Sequence, residues 1–374
     1  MREIASLELG AIAKELVQTE GMFIRKFQEI GENEFQIHLS SSSIVKRLIY
    51  INLLKSINLT EYEEKVERKT GFATEVMRIV EGAKVTGIEQ HFMDRILIMK
   101  LRARHDMEYE IVVEMFGKGN IMLLHGGSII SVYKTIHQKD RLIARKSQYS
   151  FPEGTNMDLD SIDERYISDS IEKISNDEDR LIKSFLRHFD FGPLYAEDTI
   201  IKAGLSPKET ASKAIASAIA KEKLTKEVHR LVSEVKAQPS PRIYADVSGA
   251  YIDYSISDIG KYDDYKPLGF DSLSKALDEF FRQKREEPEE DIGYMELAAS
   301  IEKQKSLLNE YETEIIGYKE RGDAIFRHMH GINRLIEFAR GRKKPDLDEL
   351  RSSFPELNVK SIDLKKKVIS IDIE

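Results

Sequence analysis

Apolar and polar residues alternate with a period of two through most of the first 136 residues, which predicts strands. The segments FIRKFQEI and EFQIHLS flank the turn GEN, a hairpin signal, and VKRLIYINL gives a third strand. KVTGIEQ, RILIMKLRA, EYEIVVEMF and NIMLLH follow, the last two joined at GKGN. Gly117 and Gly119 can take the positive φ that a tight hairpin needs. SIISVYKTI, after a Gly-Gly pair, adds another strand. Two helical patterns interrupt the alternation. Residues 6–19 put Leu7, Ile12 and Leu16 on one face with Ser6 as N-cap, and residues 61–81 end near Gly82. The expected unit is a mostly antiparallel β-domain closing near Phe151-Pro152.

The pattern then changes. Residues 156–180 are acidic and polar, as in a linker with short helices, and a helical region runs to about residue 236. At its centre a helix ends near His188, the turn FDFGP follows, and Pro193 suits the first position of the next helix, with Gly204 as its C-cap. Ser206-Pro207 starts a further helix. Backbone N–H groups after Gly192 can cradle a phosphate, or the pair is a plain helical hairpin. Strand patterns return over 243–270, DSLSKALDEFFRQK is an amphipathic helix with Asp271 as its cap, and REEPEEDIG is a charged linker. Ile301, Leu308, Ile315, Gly322, Met329 and Ile336 then recur every seven residues, with Gln304, Tyr311, Tyr318, Ile325 and Ile332 between them. This heptad seam predicts a coiled-coil arm that Gly322 weakens, serving as a spacer or as a self-association surface. The expected segments are 1–152, 153–240, 241–288, 289–342 and 343–374, and a chain stopping inside a β-like segment predicts the N-terminal portion of something longer. The fold class is α+β.

Composition narrows the chemistry. The 374 residues contain no cysteine, which removes disulfides and thiol nucleophiles and fits a reducing cytoplasm. No apolar run approaches the ~20 residues that span a bilayer, and the first residues lack a secretory pattern. Tryptophan is absent, so any base stacking must use Tyr, Phe, His or Arg. The net charge of −8 hides a gradient: residues 1–150 hold 22 Lys/Arg against 20 Asp/Glu, the remainder 35 against 45. Lys134, Lys139, Arg141, Arg145 and Lys146 form a basic patch, either a solvated hairpin face or a local nucleic-acid backbone contact. No nucleotide-binding glycine motif, zinc motif or activated nucleophile is present, so neither a metal nor a cofactor nor an enzyme is expected.

One charged pair stands at the mouth of an apolar strand, in HFMDRILIMKL. Neighbouring residues on a regular strand face opposite ways. Either the strand begins at Ile96, or one of Asp94 and Arg95 organises while the other contacts a ligand. Arg95 suits the contact, because guanidinium grips phosphate bidentately or stacks on a base.

The segments ASLELGAIAKEL, VTGIEQHFMDRILIMKL, YEIVVEMFGKGNIMLL, FGPLYAEDTIIKAGLS and GFDSLSKALDEFF resemble, in order, the NFACT family, whose members include proteins labelled RqcH, NEMF and fibronectin-binding protein A. The resemblance implies a cytoplasmic, non-enzymatic quality-control factor. It would bind the large ribosomal subunit, rRNA and ribosomal proteins included, with peptidyl-tRNA, and recruit tRNA, chiefly alanyl-tRNA, for C-terminal tailing of stalled chains. It implies a β-rich N-domain similar to that of formamidopyrimidine-DNA glycosylases, a helix-hairpin (H2TH-like) segment and a coiled-coil arm. The family's tRNA-related motif maps onto Asp94 and Arg95, its first-helix acid onto Glu8, and its middle-helix Arg onto Met77 with Arg78 beside it. The glycosylases' N-terminal proline is replaced by Arg2, with Glu3 next to it, which argues against their chemistry. A nucleic-acid-binding protein of that fold without the ribosomal role, and a fibronectin-binding adhesin, are the alternatives.

Overall fold

The computed structural model describes residues 2–43, 46–65, 71–138, 141–154 and 157–286, then 301, 304–305, 308, 311–312, 315, 317–320, 322–341, 345–363 and 367–372. The chain packs as two units, Met1–Glu286 and Glu287–Glu374.

Among the described residues of the first unit nine strands form one antiparallel sheet, eight of them at segments the alternation predicts: β1 (Phe23–Gly31), β2 (Glu34–Ser40), β3 (Arg47–Asn52), β4 (Ser56–Thr60), β5 (Lys84–Gln90), β6 (Ile96–Arg102), β7 (Glu108–Glu114), β8 (Asn120–His125) and β9 (Ser128–Val132). Their order is β4-β3-β2-β1-β5-β6-β7-β8-β9. β1 meets β5 at one registered pair, Phe23 with Lys84, and there the sheet folds over. Phe27, Phe35, Ile37 and Ile49 of one half share a core with Met99, Leu101, Ile111 and Leu123 of the other. At the far end Phe35 packs 5.0 Å from Tyr133. Helices α1 (Ser6–Leu16) and α2 (Gly71–Val80) contribute Leu7, Leu9, Ile12, Leu16, Val76 and Val80 to the same core.

The unbroken apolar run ILIM in β6 has a physical cause. Its second face is also covered: Ile96, Ile98, Val112, Met122 and Leu124 form another core with Ile143, from the small hairpin β10 (Ile136–Gln138)–β11 (Arg141–Ile143). A strand buried on both sides loses the alternation. Gly119 in the β7–β8 turn has φ +60°, and a Cβ there would lie 2.5 Å from the Leu53 carbonyl oxygen. The glycine therefore serves both the turn and the closure of the folded sheet.

The second half of this unit is α3 (Glu164–Ser175), α4 (Leu181–Phe189), α5 (Pro193–Lys202), α6 (Ala211–Ala214) and α7 (Ala218–Ala237), then a three-stranded sheet of β12 (Arg242–Ala245), β13 (Tyr251–Ser255) and β14 (Lys266–Gly269), then α8 (Leu273–Glu286). Phe185, Tyr195, Leu224, Tyr254 and Phe280 belong to the main core, which runs continuously across the expected boundaries at 152 and 240. α5 ends as expected: Gly204 and Leu205 donate backbone hydrogen bonds to Ile201 and Ile200, closing the last turn with Gly204 at φ +76°.

Several local expectations are corrected. Of the helix expected over 61–81, Gly71–Val80 is helical and 61–65 is not, 66–70 lying outside the described residues, and β4 is a strand that the alternation does not predict. Residues 61–65 instead run beside β2, with the Tyr62 carbonyl accepting from Gln36 and Glu63 paired with Lys26 and Lys46. Ser6 is not the cap of α1. Ala5 holds that position, its N–H donates to Glu8 at 2.8 Å, and the Ser6 hydroxyl donates to the Asp190 carbonyl. Asp271 does not cap α8. Ser272 accepts from Lys275 N–H, and the Glu15 carboxylate accepts from the N–H groups of Leu273 and Ser274 at 2.6 and 2.9 Å. A carboxylate from another helix thus satisfies two of the orphan donors. Ser206-Pro207 lies in a turn, and the next helix starts at Ala211.

In the second unit the described seam residues Ile301, Leu308, Tyr311, Ile315, Tyr318 and Ile325 are helical and exposed, so no coiled-coil pairing of that seam is present among the described residues. Leu335, Leu350, Phe354, Leu357 and Val359 form a small separate core between the helices Met329–Arg340 and Leu347–Ser353 and the hairpin Val359–Asp363/Val368–Ile371. Among the described residues no helix is long and apolar enough to cross a membrane.

Candidate nucleic-acid interface

Asp94 and Arg95 stand in the loop between β5 and β6, and the strand begins at Ile96. That settles the geometric alternatives: the two side chains precede the regular pleat. The loop is held at both ends, by His91 N–H to the Ile96 carbonyl at 2.9 Å and Met115 N–H to the Arg95 carbonyl at 2.8 Å. Gln90 clamps it from within, its amide donating to the carbonyls of Asp94 and Ser6 at 2.8 and 2.9 Å. Met93 is the buried plug. The Asp94 carboxylate turns back onto His91 Nδ1 at 2.9 Å. Arg95 points outward and pairs with Glu3, the two side chains being 31% and 43% exposed. Asp94 thus organises the loop and Arg95 is displayed by it. A Cβ on Gly154 would lie 2.6 Å from Asp94 Oδ1, so a chain segment distant in sequence closes over this carboxylate.

Asp190, in the α4–α5 turn, lies close enough to feel both residues. Burial, reinforced by Asp94 and opposed by Arg95, pushes its carboxyl up to about 6. A carboxyl raised on folding binds its proton more tightly in the native state. Its contribution to stability is therefore full below the unfolded value and is lost as pH rises through about 6. Asp190 has φ +41°, a conformation that Asn tolerates well, so Asp190→Asn removes the titration without a backbone penalty. Thermal unfolding of the two proteins should diverge across pH 4 to 7, the Asn variant gaining relative stability as pH rises. Parallel curves would show that Asp190 titrates normally.

Glu8 is turned into the interior. It is fully buried, and its expected direct contact is corrected on that ground. Arg2 grips it with two hydrogen bonds of 2.6 and 2.7 Å, Tyr195 donates its hydroxyl at 2.7 Å, and Ala5 N–H donates at 2.8 Å. Arg2 also holds Asp253 through Nε at 2.9 Å and lies 4.2 Å over the Tyr254 ring. Burial and the Glu8 charge push the Tyr195 phenol well above its usual range. The network anchors the segment that carries Glu3 to α1, α5 and β13.

The remaining candidates divide. Register places the β7–β8 turn at the same sheet end as Arg95, since Ile96 pairs with Glu114 and Glu114 with Asn120. Lys134 joins that rim: its carbonyl accepts from Asn120, and its ammonium donates to the Lys118 carbonyl at 2.5 Å. Lys118, and Lys55 whose carbonyl accepts from Ile4 N–H, are rim residues the sequence did not single out. Arg141 is corrected. It is largely buried, bound to Glu114 and to the Ser150 carbonyl, and it serves the second core. Arg145 pairs with Glu75 of α2 at 2.6 Å but stays exposed, and Lys146 is exposed at φ +70°. Lys139 lies outside the described residues. Arg78 is exposed in the last turn of α2, beside the start of β5 and roughly 20 Å of strand away from the Arg95 loop, so it does not join this group. Gly192 is corrected as well. It is buried at φ +88°, a Cβ would meet that of Ala5 at 2.7 Å, and Pro193 after it has no N–H.

Comparison with known proteins agrees with the fold. A family model described as NFACT N-terminal and middle domains matches residues 6–327. An archaeal Rqc2 homolog, aRqcH, of Methanocaldococcus jannaschii is 25% identical over 362 residues, covering 92% of this chain and 53% of that protein. The ribosome quality control complex subunit 2 of Schizosaccharomyces pombe is 26% identical over 157 residues, 40% of this chain and 15% of that one. The chain thus spans about half the length of the first relative and less of the second. The crystal structure of the fibrinogen binding protein from Staphylococcus aureus superposes with a TM-score of 0.59 at 16% identity, covering 74% of this chain and 98% of that one, which shows a shared fold.

Proposed function

The chain belongs to the NFACT family, and from that membership we propose that it works in ribosome-associated quality control as a non-enzymatic RNA-binding factor of the cytoplasm. Its partners are the large ribosomal subunit with peptidyl-tRNA and a recruited tRNA, alanyl-tRNA in the first instance, for tailing of stalled chains. The relatives named for ribosome quality control support the process. The observation that carries the contact is the display of Arg95 on an ordered loop, its guanidinium met by the half-exposed carboxylate of Glu3. A phosphate can replace that carboxylate, and guanidinium can grip it through two parallel hydrogen bonds. Lys118 and Lys134 on the same rim extend the path for a backbone.

The non-enzymatic reading is supported by the fate of the first residues. Arg2 is spent on Glu8 and Asp253, and Glu3 on Arg95. The fibrinogen-binding neighbour shares the fold, and a fold alone assigns no ligand.

Filter binding of tRNA over a salt series tests the contact. Arg95→Ala should weaken binding roughly tenfold and flatten the log–log salt slope by about one phosphate. Asp94→Ala should weaken binding with the slope unchanged, since it removes no cation. If both leave tRNA affinity unchanged at matched salt, the site is wrong. Failure of the intact protein to co-sediment with large subunits carrying peptidyl-tRNA would remove the ribosomal role.

A further inference from the structure

Behind Asp94 the structure holds a feature that the charged rim does not use. The His91 ring stacks on Phe151, centroids 3.7 Å apart and planes 6° from parallel. Phe92 makes a T-shaped contact with His91 at 4.6 Å, and Tyr149 makes one with Phe151 at 4.9 Å. Asp94 fixes the imidazole through Nδ1 at 2.9 Å. Yet Phe151 remains 41% exposed. The imidazole covers one face, so the exposed part of the ring lies on its other side and along its rim.

We propose that the free face of Phe151 is a stacking platform for an unpaired nucleobase of the RNA whose phosphate Arg95 holds. A single exposed phenylalanine would carry no such meaning, since most exposed apolar side chains are incidental. Here the ring is backed and oriented, and it packs on the loop that presents the phosphate-gripping guanidinium. The spacing of the existing pair is close to the ~3.4 Å step of stacked bases, so a base continues the pile without rearrangement. Aromatic stacking selects unpaired bases, because bases within a duplex already cover both faces. Asp94 then acts twice, since the same bond to His91 that orders the loop also keeps the platform flat.

The inference rests on the RNA-binding reading above, and the test separates the two. The chain has no tryptophan, so Phe151→Trp installs a sole indole fluorophore at the platform. Titration with single-stranded oligoadenylate should quench its emission with affinity at or above that of the unsubstituted protein. Phe151→Leu, checked for unchanged thermal unfolding, should lose roughly 5- to 100-fold in affinity for oligoadenylate. Its salt slope should stay unchanged, as should its binding to a blunt duplex RNA of equal charge. Emission unaffected at saturation, or Phe151→Leu binding oligoadenylate normally, overturns the platform while tRNA binding through Arg95 stands. Equal loss for single strand and duplex also overturns it, assigning Phe151 to loop support. If the intact protein binds neither tRNA nor oligoadenylate, the RNA-binding reading falls and the platform with it.

Discussion

Glu8→Ala should destabilise the first unit by about 3–5 kcal/mol, a fall in Tm of roughly 10 °C for a unit of this size. The reason is the charge it leaves behind. Arg2 is inserted between Glu8 and Asp253 with its guanidinium against the Tyr254 ring and the Tyr254 carbonyl. Removing Glu8 takes away two of its charge-assisted bonds and leaves the Tyr195 O–H and the Ala5 N–H without the acceptor they share. Two further variants give the expected order of loss. Tyr195→Phe deletes the hydroxyl that donates to the Glu8 carboxylate and accepts from Ile256 N–H at 3.0 Å, and should cost about 2 kcal/mol. Arg2→Met combined with Glu8→Gln removes both charges and should cost less than the sum of the single changes. Calorimetric melts of the set check this. Glu8→Ala melting like the unsubstituted protein would return Glu8 to the role of a surface contact, which its burial opposes.

This network also shows where sequence reasoning stops. Strands were legible because alternation is local, and even the continuous ILIM run was legible as apolar. What it could not reveal was the second cover supplied by Ile143, some forty-five residues on. The Asp94-Arg95 pair was visible as a break in pattern at a strand mouth. Its division of labour was not, because His91 takes one member and Glu3, at the other end of the domain sequence, takes the other. Family resemblance brought Glu8 into view and left its partners hidden: Arg2, Tyr195 and Asp253 come together from segments up to 251 residues apart. The basic patch at 134–146 does not act as a unit, for the same reason. Side-chain partners divide it, with Arg141 bound inward to Glu114 and Lys134 facing the rim. Charge along a sequence does not say which cations are already paired.

Gly192→Ala should lower stability by about 2–6 kcal/mol, summing a backbone term of about 1–3 with a similar packing term. At φ +88° and ψ 152° the residue occupies a region essentially closed to other amino acids. Its missing Cβ is also the space that Ala5 fills, 2.7 Å away at the start of α1. The two terms are separable. Ala5→Gly removes the opposing methyl, so the double variant should recover the packing part and retain the backbone part in denaturant melts. A phosphate-cradling turn would behave otherwise. Its loss would fall on RNA affinity and salt slope, would spare stability, and would ignore Ala5. The close approach also explains why this turn sits beside the Arg95 loop at all. Gly192 lets α5 start against α1, the Ser6 hydroxyl then holds the Asp190 carbonyl, and Asp190 is brought to where it feels Asp94 and Arg95. A methyl at position 192 should therefore shift the Asp190 titration too, which the pH dependence of unfolding of the Gly192→Ala protein would report.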